Sequence, residues 1–253
     1  MLTQSSANTS TSGQAAVPKT HNSRSFDHLA EEYDFVAARE RGSSFFLEHL
    51  PERRQRVLDV GCGTGILAHL LSSHFASVVA IDISEPMLAI ARARRAAPNV
   101  DYRRGDANHL ALDQTFDCIV SHTTFHHLED VSETLRVLKA SLQPRGRLIL
   151  VDNVRRWPAI PRNACTFTAK ACLKFPTDLF RHGHRSAWRI FRFRTSRHWL
   201  NHVMSDQILT PARFREVYAA ALPGATFIPL KYFMGVIWQA PDPLDSSLTS
   251  PNS

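Results

Sequence analysis

Long apolar runs are missing from this chain. No stretch of about 18 apolar residues occurs, so no segment is expected to span a bilayer. The start lacks the charged region and apolar core of a secretory signal, and the expected location is the cytoplasm. Cysteine is scarce, with four in 253 residues. Cys62, Cys118, Cys165 and Cys172 stand singly without C-x-x-C spacing, in a chain too long to need disulfide staples, so free thiols are expected. Acidic residues almost vanish between Arg155 and Arg197, where eleven Lys or Arg face Asp178 alone. That segment carries +10, and the remainder totals −3 although the whole chain is +7. A fold that is basic all over is thereby excluded. Large apolar side chains are few in the first 25 residues, which are rich in Ser, Thr, Gln and Asn and are expected to be a disordered tail. The polar stretch 241–253 is expected to be a second one.

What is present is an alternation of short apolar runs with helical periodicities. Arg56 to Val60, Val78 to Ile83, Val100 to Arg104, Phe116 to Ser121 and Arg147 to Asp152 read as strands. Between them lie helices over Ile66 to His74, from Ser84 and Pro86 to about Arg95, and over Val131 to Leu142. Strands this continuously apolar belong to a parallel sheet covered on both faces, a doubly wound α/β Rossmann-like fold. After an irregular basic stretch over 155–208, Thr210-Pro211 caps a helix through Ala221. Ala225 to Leu230 and Tyr232 to Gln239 then form a hairpin that ends the sheet antiparallel. One domain over 26–240 is expected, with a helical insertion at 155–208 before the last two strands. Phe26 to Leu50 supplies one or two amphipathic helices ahead of the first strand.

The segment Val57-Leu-Asp-Val-Gly-Cys-Gly-Thr-Gly65 breaks an apolar strand into a glycine loop that opens a helix. Such a loop lets the backbone approach a nucleotide. A dinucleotide fingerprint would need glycine at 66, where Ile66 stands. Asp59, inside the strand end, would repel dinucleotide phosphates and attract a cation. The loop therefore suits an uncharged or positive nucleoside. Ligands of open parallel sheets bind beyond the carboxyl ends of the strands. Those ends gather Asp59, Gly61, Gly63 and Gly65 with Asp82, Asp106, Ser121 and His122. Asp82 lies 23 residues after Asp59, near the spacing at which an acid binds ribose hydroxyls.

The ordered set Val57 to Gly65, Ala80 to Leu88, Gly105-Asp106-Ala107, Phe116 to Ser121 and Leu142 to Leu148 resembles class I S-adenosylmethionine-dependent methyltransferases. Within that class it is similar to the methyltransferase type 11 group, which includes the ubiquinone and menaquinone biosynthesis enzymes. The resemblance covers roughly Phe26 to Asp152. It implies S-adenosylmethionine as cofactor, with Asp59, Gly61 and Gly63 on the methionine part and Asp82 on the ribose. Asp106 with Ala107 would hold the adenine, while Cys62, Gly65, Ile83, Met87, Ser121 and His122 are further candidate cofactor contacts. Arg145 departs from the pattern, standing where the group commonly has a second glycine.

Transfer of a sulfonium methyl is an in-line displacement that alignment alone can accelerate, so no metal is expected. His122, His126 and His127 are the candidate proton acceptors; for His126 and His127 the alternative is a helix start whose ring nitrogens are satisfied locally. His182, His184, His198 and His202 lack acid or cysteine partners at a known zinc spacing. The insertion interleaves Trp188, Phe191, Phe193 and Trp199 with arginines. It reads as a cap over a small-molecule acceptor, with an RNA-binding surface and docking to an anionic membrane as alternatives. A cofactor-binding protein without turnover is the non-enzymatic alternative.

Overall fold

A computed structural model describes residues 27–40 and 44–242. The expected tails lie outside the described residues, Pro241 and Asp242 apart. Seven strands form one sheet in the order β3-β2-β1-β4-β5-β7-β6. They are β1 (Arg56–Val60), β2 (Ser77–Asp82), β3 (Val100–Arg104), β4 (Phe116–His122), β5 (Leu142–Asn153), β6 (Thr226–Leu230) and β7 (Phe233–Gln239). The first five pair in parallel. Only β7 runs against them, between β5 and β6. The chain winds outward from β1 to β3 and then returns to β4, so the switch point that opens a crevice lies between β1 and β4.

Side-chain alternation along the strands fills both faces. Leu58, Val60, Ile119, Leu148 and Leu150 meet Leu135 and Leu138 of α5 (Val131–Ala140) and Phe214 and Tyr218 of α8 (Pro211–Ala221). On the other face Val57, Val78, Ala80, Cys118 and Val120 meet α2 (Ser44–Glu48), α3 (Ile66–Leu71) and α4 (Glu85–Arg94). Burial of such side chains stabilises by about 1.5–3 kcal/mol each. Helix starts follow local chemistry: Ser84, Asp130 and Thr210 each accept from a backbone N–H three residues on, and Pro86 and Pro211 occupy first turns.

The boundaries around β5 differ most from the sequence expectation. Helix α5 stops at Ala140 and β5 begins at Leu142, because Pro144-Arg145-Gly146 bends within the strand instead of preceding it. Arg145 takes φ 60° there, a left-handed conformation that glycine adopts at less cost. A glycine here, as the resemblance leads one to expect, would remove that cost.

Between β5 and α8 the insertion forms α6 (Ala164–Thr195) and α7 (Arg197–Ser205). Helix α6 is folded in two at Gly183, whose φ is 74° and ψ 167°. Asp178 and Arg194 would stand about 24 Å apart on a straight helix, yet they form an ion pair of 2.5 Å. Phe175 and Phe191 stack edge to face with ring centroids 5.6 Å apart. The second arm rests on α1 (Ala30–Ala37), with Ile190 and Phe193 against Leu29 and Val36. Glu40 accepts from Lys174 on one arm and from Arg194 on the other. Helix α1 is in turn tied to the sheet side by Asp34, which pairs with Arg94 and Arg95 at the end of α4.

Candidate active site

A cavity of about 700 Å³ opens beyond the carboxyl ends of β1, β2 and β4, within the range of small-molecule sites. The glycine loop forms its floor. The N–H groups of Gly61 and Cys62 donate to the Ile81 carbonyl at 2.8 and 2.9 Å, tying the loop to β2. A Cβ on Gly61 would collide with the Thr124 side chain, and one on Gly65 would come within 2.6 Å of the Tyr102 hydroxyl. Both also have positive φ. Gly61 therefore admits the chain after β4, and Gly65 admits the packing of α3 against β3.

Asp82 clasps the loop. Its Oδ2 accepts from the Gly63 N–H at 2.8 Å and its Oδ1 from the Ser84 N–H at 2.9 Å. Burial raises its pKa despite those donors, and the carboxylate faces the cavity with one lone pair of each oxygen unused by these bonds. Asp106 also lines the cavity. Its Oδ1 accepts from the Asn108 N–H at 2.9 Å and its Oδ2 lies 3.1 Å from His109 Nδ1. Burial works to raise its pKa, but these partners hold it below the usual range. Ile83, Met87 and Ala107 complete the wall between the two acids.

Asp59, Cys62, Gly65 and Ser121 are one layer behind the wall. Ser121 donates to the Val60 carbonyl at 2.7 Å and joins β4 to β1. Burial pushes the Cys62 thiol far up, so it packs as an apolar group. Asp59 is buried beneath the loop with Oδ2 lacking any hydrogen-bond partner. Burial, reinforced by the charge of Asp82, pushes its carboxyl up to about 8. A buried acid of this kind is costly unless a cation or donor completes it.

At the other end of the cavity stand His122, Thr123, Thr124 and His127. His122 lies edge to face against Phe46 at 5.8 Å, and burial lowers its pKa. Thr123 has φ 56°, an unusual conformation for a β-branched residue that costs about 1–3 kcal/mol and is characteristic of functional sites. His126 does not line the cavity. It stands behind His127, ring centroids 3.9 Å apart, with Nδ1 2.6 Å from Asp152 Oδ1. Burial opposes its protonation, but Asp152 and Asp206 together raise its pKa. His202 from the insertion reaches the same cluster, its ring 5.3 Å from that of His127.

Several groups here were outside the sequence reading. Asp27 and Tyr33 line the donor end of the cavity, and Ser84 Oγ donates to Asp27 at 2.7 Å. The Tyr33 hydroxyl bonds Thr123, and burial pushes its pKa up to about 12. Asp152 ends β5 as Asp82 ends β2, so the strand-end rule covers it too. Asp206 follows α7 at the close of an irregular segment and has no sequence signal of its own.

The sheet order, the antiparallel β7 and the loop with strand-end acids define a class I, Rossmann-like methyltransferase fold. Residues 58–150 match the family model of a methyltransferase domain. The matched segment is thus similar to a methyltransferase domain, and with the fold it supports the S-adenosylmethionine-dependent class. The chain is 33% identical over 141 residues to a malonyl-[acyl-carrier protein] O-methyltransferase of Bacillus anthracis, covering 53% of this chain and 52% of the relative. It is 37% identical over 106 residues to an uncharacterized methyltransferase of Mycobacterium tuberculosis, covering 42% and 54%. The chain thus matches about half the length of these curated relatives. In solved structures the fold recurs in the DhpI–SAH complex, with a TM-score of 0.60 and 18% identity over 89% of this chain and 97% of that one.

Proposed function

We propose that the cavity binds S-adenosylmethionine at its Asp82–Asp106 end and that the domain transfers the methyl to an O, N or C atom of a small organic molecule. The acceptor would enter beneath the insertion, at the His122–His127 end. The observation that carries this reading is Asp59, a buried carboxyl with an oxygen without a partner beneath a glycine loop. From one layer behind the cavity wall, Asp59 would be favoured in its ionised form by a cationic ligand at the loop and opposed by the phosphates of a dinucleotide. Asp82 would hold the ribose hydroxyls, Asp106 and the Ala107 N–H the adenine, and Met87 and Ile83 the apolar faces. When bound, the cofactor supplies a methyl already activated by its positive sulfur. The protein's work is then to align the acceptor, exclude water and receive a proton where the acceptor has one to lose.

The name of the Bacillus anthracis relative favours an oxygen acceptor. Five of the segment's nine arginines are engaged within the protein, which weighs against RNA. Arg155, Arg156 and Arg162 donate to backbone carbonyls, and Arg189 and Arg194 pair with Glu32, Asp178 and Glu40. These cations hold the insertion together, as a cap requires. Calorimetric titration with S-adenosylmethionine tests the reading. Asp82→Asn is expected to weaken binding about 10- to 100-fold, the equivalent of one hydrogen bond to a charged group. Unchanged affinity in that variant would remove Asp82 from the site.

A further inference from the structure

The acceptor end of the cavity is built from three elements that bring imidazole and carboxylate groups to one point. The short 3-10 turn Phe125–His127 after β4 gives His126 and His127. The end of α7 gives His202, and the residue after it in the chain's course, Asp206, caps that helix. The end of β5 gives Asp152. His127 Nδ1 lies 3.7 Å from Asp206 Oδ1, and His126 Nε2 lies 3.9 Å from Asp206 Oδ2. The donor atoms of His126, His127 and Asp206 all lie within 4.8 Å of one another. Tetrahedral bonds of about 2.0–2.2 Å to a shared ion would put such atoms roughly 3.3–3.6 Å apart, so the three groups would draw together on binding it.

A second observation orients the set. The 2.6 Å contact between His126 Nδ1 and Asp152 assigns the Nδ1 proton of the neutral ring to a hydrogen bond with the carboxylate and leaves Nε2 as the lone-pair atom facing Asp206. This is the carboxylate–histidine–metal relay that fixes ligand tautomers in metalloproteins. His202 Nε2, 3.9 Å from Asp206 Oδ1, approaches the same carboxylate oxygen as His127. The cluster is almost closed to solvent, with side chains of His126 and Asp206 each 6% exposed, yet His127 opens onto the cavity.

We propose that His126 Nε2, His127 Nδ1 and Asp206 bind one divalent first-row transition metal of the Zn²⁺ class, at the acceptor end of the cavity. Two imidazoles and one carboxylate select such an ion over Mg²⁺ or Ca²⁺, which prefer oxygen. Three protein ligands leave a coordination position for an oxygen of the acceptor. The inference deepens the proposed function by giving that acceptor a metal-binding oxygen. With the ion present His127 is a ligand and the acceptor's oxygen is acidified directly.

The test uses the full chain, stripped with a chelator and titrated with Zn²⁺, then with Co²⁺ for its visible absorption bands. One ion per chain is expected. His127→Gln and Asp206→Asn should each abolish the stoichiometric site. Asp152→Asn should weaken binding about 10- to 100-fold, as loss of such an orienting carboxylate does. The paired substitution Cys165→Ser and Cys172→Ser, which removes the two exposed thiols, should leave it unchanged. Absence of a stoichiometric ion, or an ion retained in both ligand variants, overturns the proposal. Far-ultraviolet circular dichroism identifies any ligand variant that fails to fold, and the other variant then decides. Because the readout is bound metal, the outcome is independent of whether S-adenosylmethionine binds.

Discussion

At the scale of single residues, Asp59 has the most exposed consequence. Its carboxyl is raised to about 8 by burial and by Asp82, so near pH 7 it is mostly protonated in the ligand-free protein. The raised pKa means that its contribution to stability is fully present below the ordinary carboxylate range and is lost as pH climbs through about 8. A cation in the cavity, one layer away, would reduce the shift and favour the ionised form. If the cavity binds S-adenosylmethionine as proposed, calorimetry at pH 7 in buffers of different ionisation enthalpy should therefore show proton release. In Asp59→Asn that release should disappear; buffer-independent heats in the parent protein would refute the role. The sequence made Asp59 legible because an acid inside an apolar strand is conspicuous. Asp206 was illegible for the opposite reason, since an acid in a polar stretch looks like solvent-facing punctuation. Only the folding of α7 against the 3-10 turn gives it three histidine neighbours.

At the scale of elements, the strands and their helices could be read from apolar runs and caps, because both are local. The sheet's switch point at β1 and β4 follows from that alternation. Helix α6 was less accessible. Its aromatic and basic residues recur at helical spacing, but a hairpin folded at Gly183 depends on contacts between residues 16 apart, such as Asp178 with Arg194. Pairing across such a distance leaves no period in the sequence. The N-terminal helix was anticipated, but its place beside the cavity was not. That place rests on Asp34, a nearly buried acid between Arg94 and Arg95. Burial opposes its ionisation, and bonds from Thr64 and the two arginines more than reverse that. Replacing it with Asn should cost about 2–4 kcal/mol, in the range for removing one partner of a largely buried pair. Thermal or denaturant unfolding measures this. The loss should shrink as pH falls through the lowered pKa of Asp34, where the native carboxylate is itself neutralised. A pH-independent difference would assign the effect to packing alone.

At the scale of the whole molecule, α1 borders the donor end of the cavity through Tyr33, while the α6 hairpin packs on α1 and α7 brings His202 beside His127. The segment after α1 and the hairpin meet at Glu40, which holds Lys174 and Arg194 at 3.1 Å each. The carboxylate is more than half exposed, so the junction is weak and reversible, in the range of about 0–1 kcal/mol per surface pair. Glu40 thus joins the helix beside the donor end to the insertion. If the cavity binds donor and acceptor as proposed, the energy of these pairs sets a donor-first preference of no more than about severalfold, read as the ratio of the acceptor's Kd without and with the demethylated donor. Substitution of Glu40 by Gln should remove that preference, and an unchanged ratio would separate α1 from the insertion. A single surface carboxylate, remote from every reacting atom, would then tilt the sequence in which this protein meets its substrates.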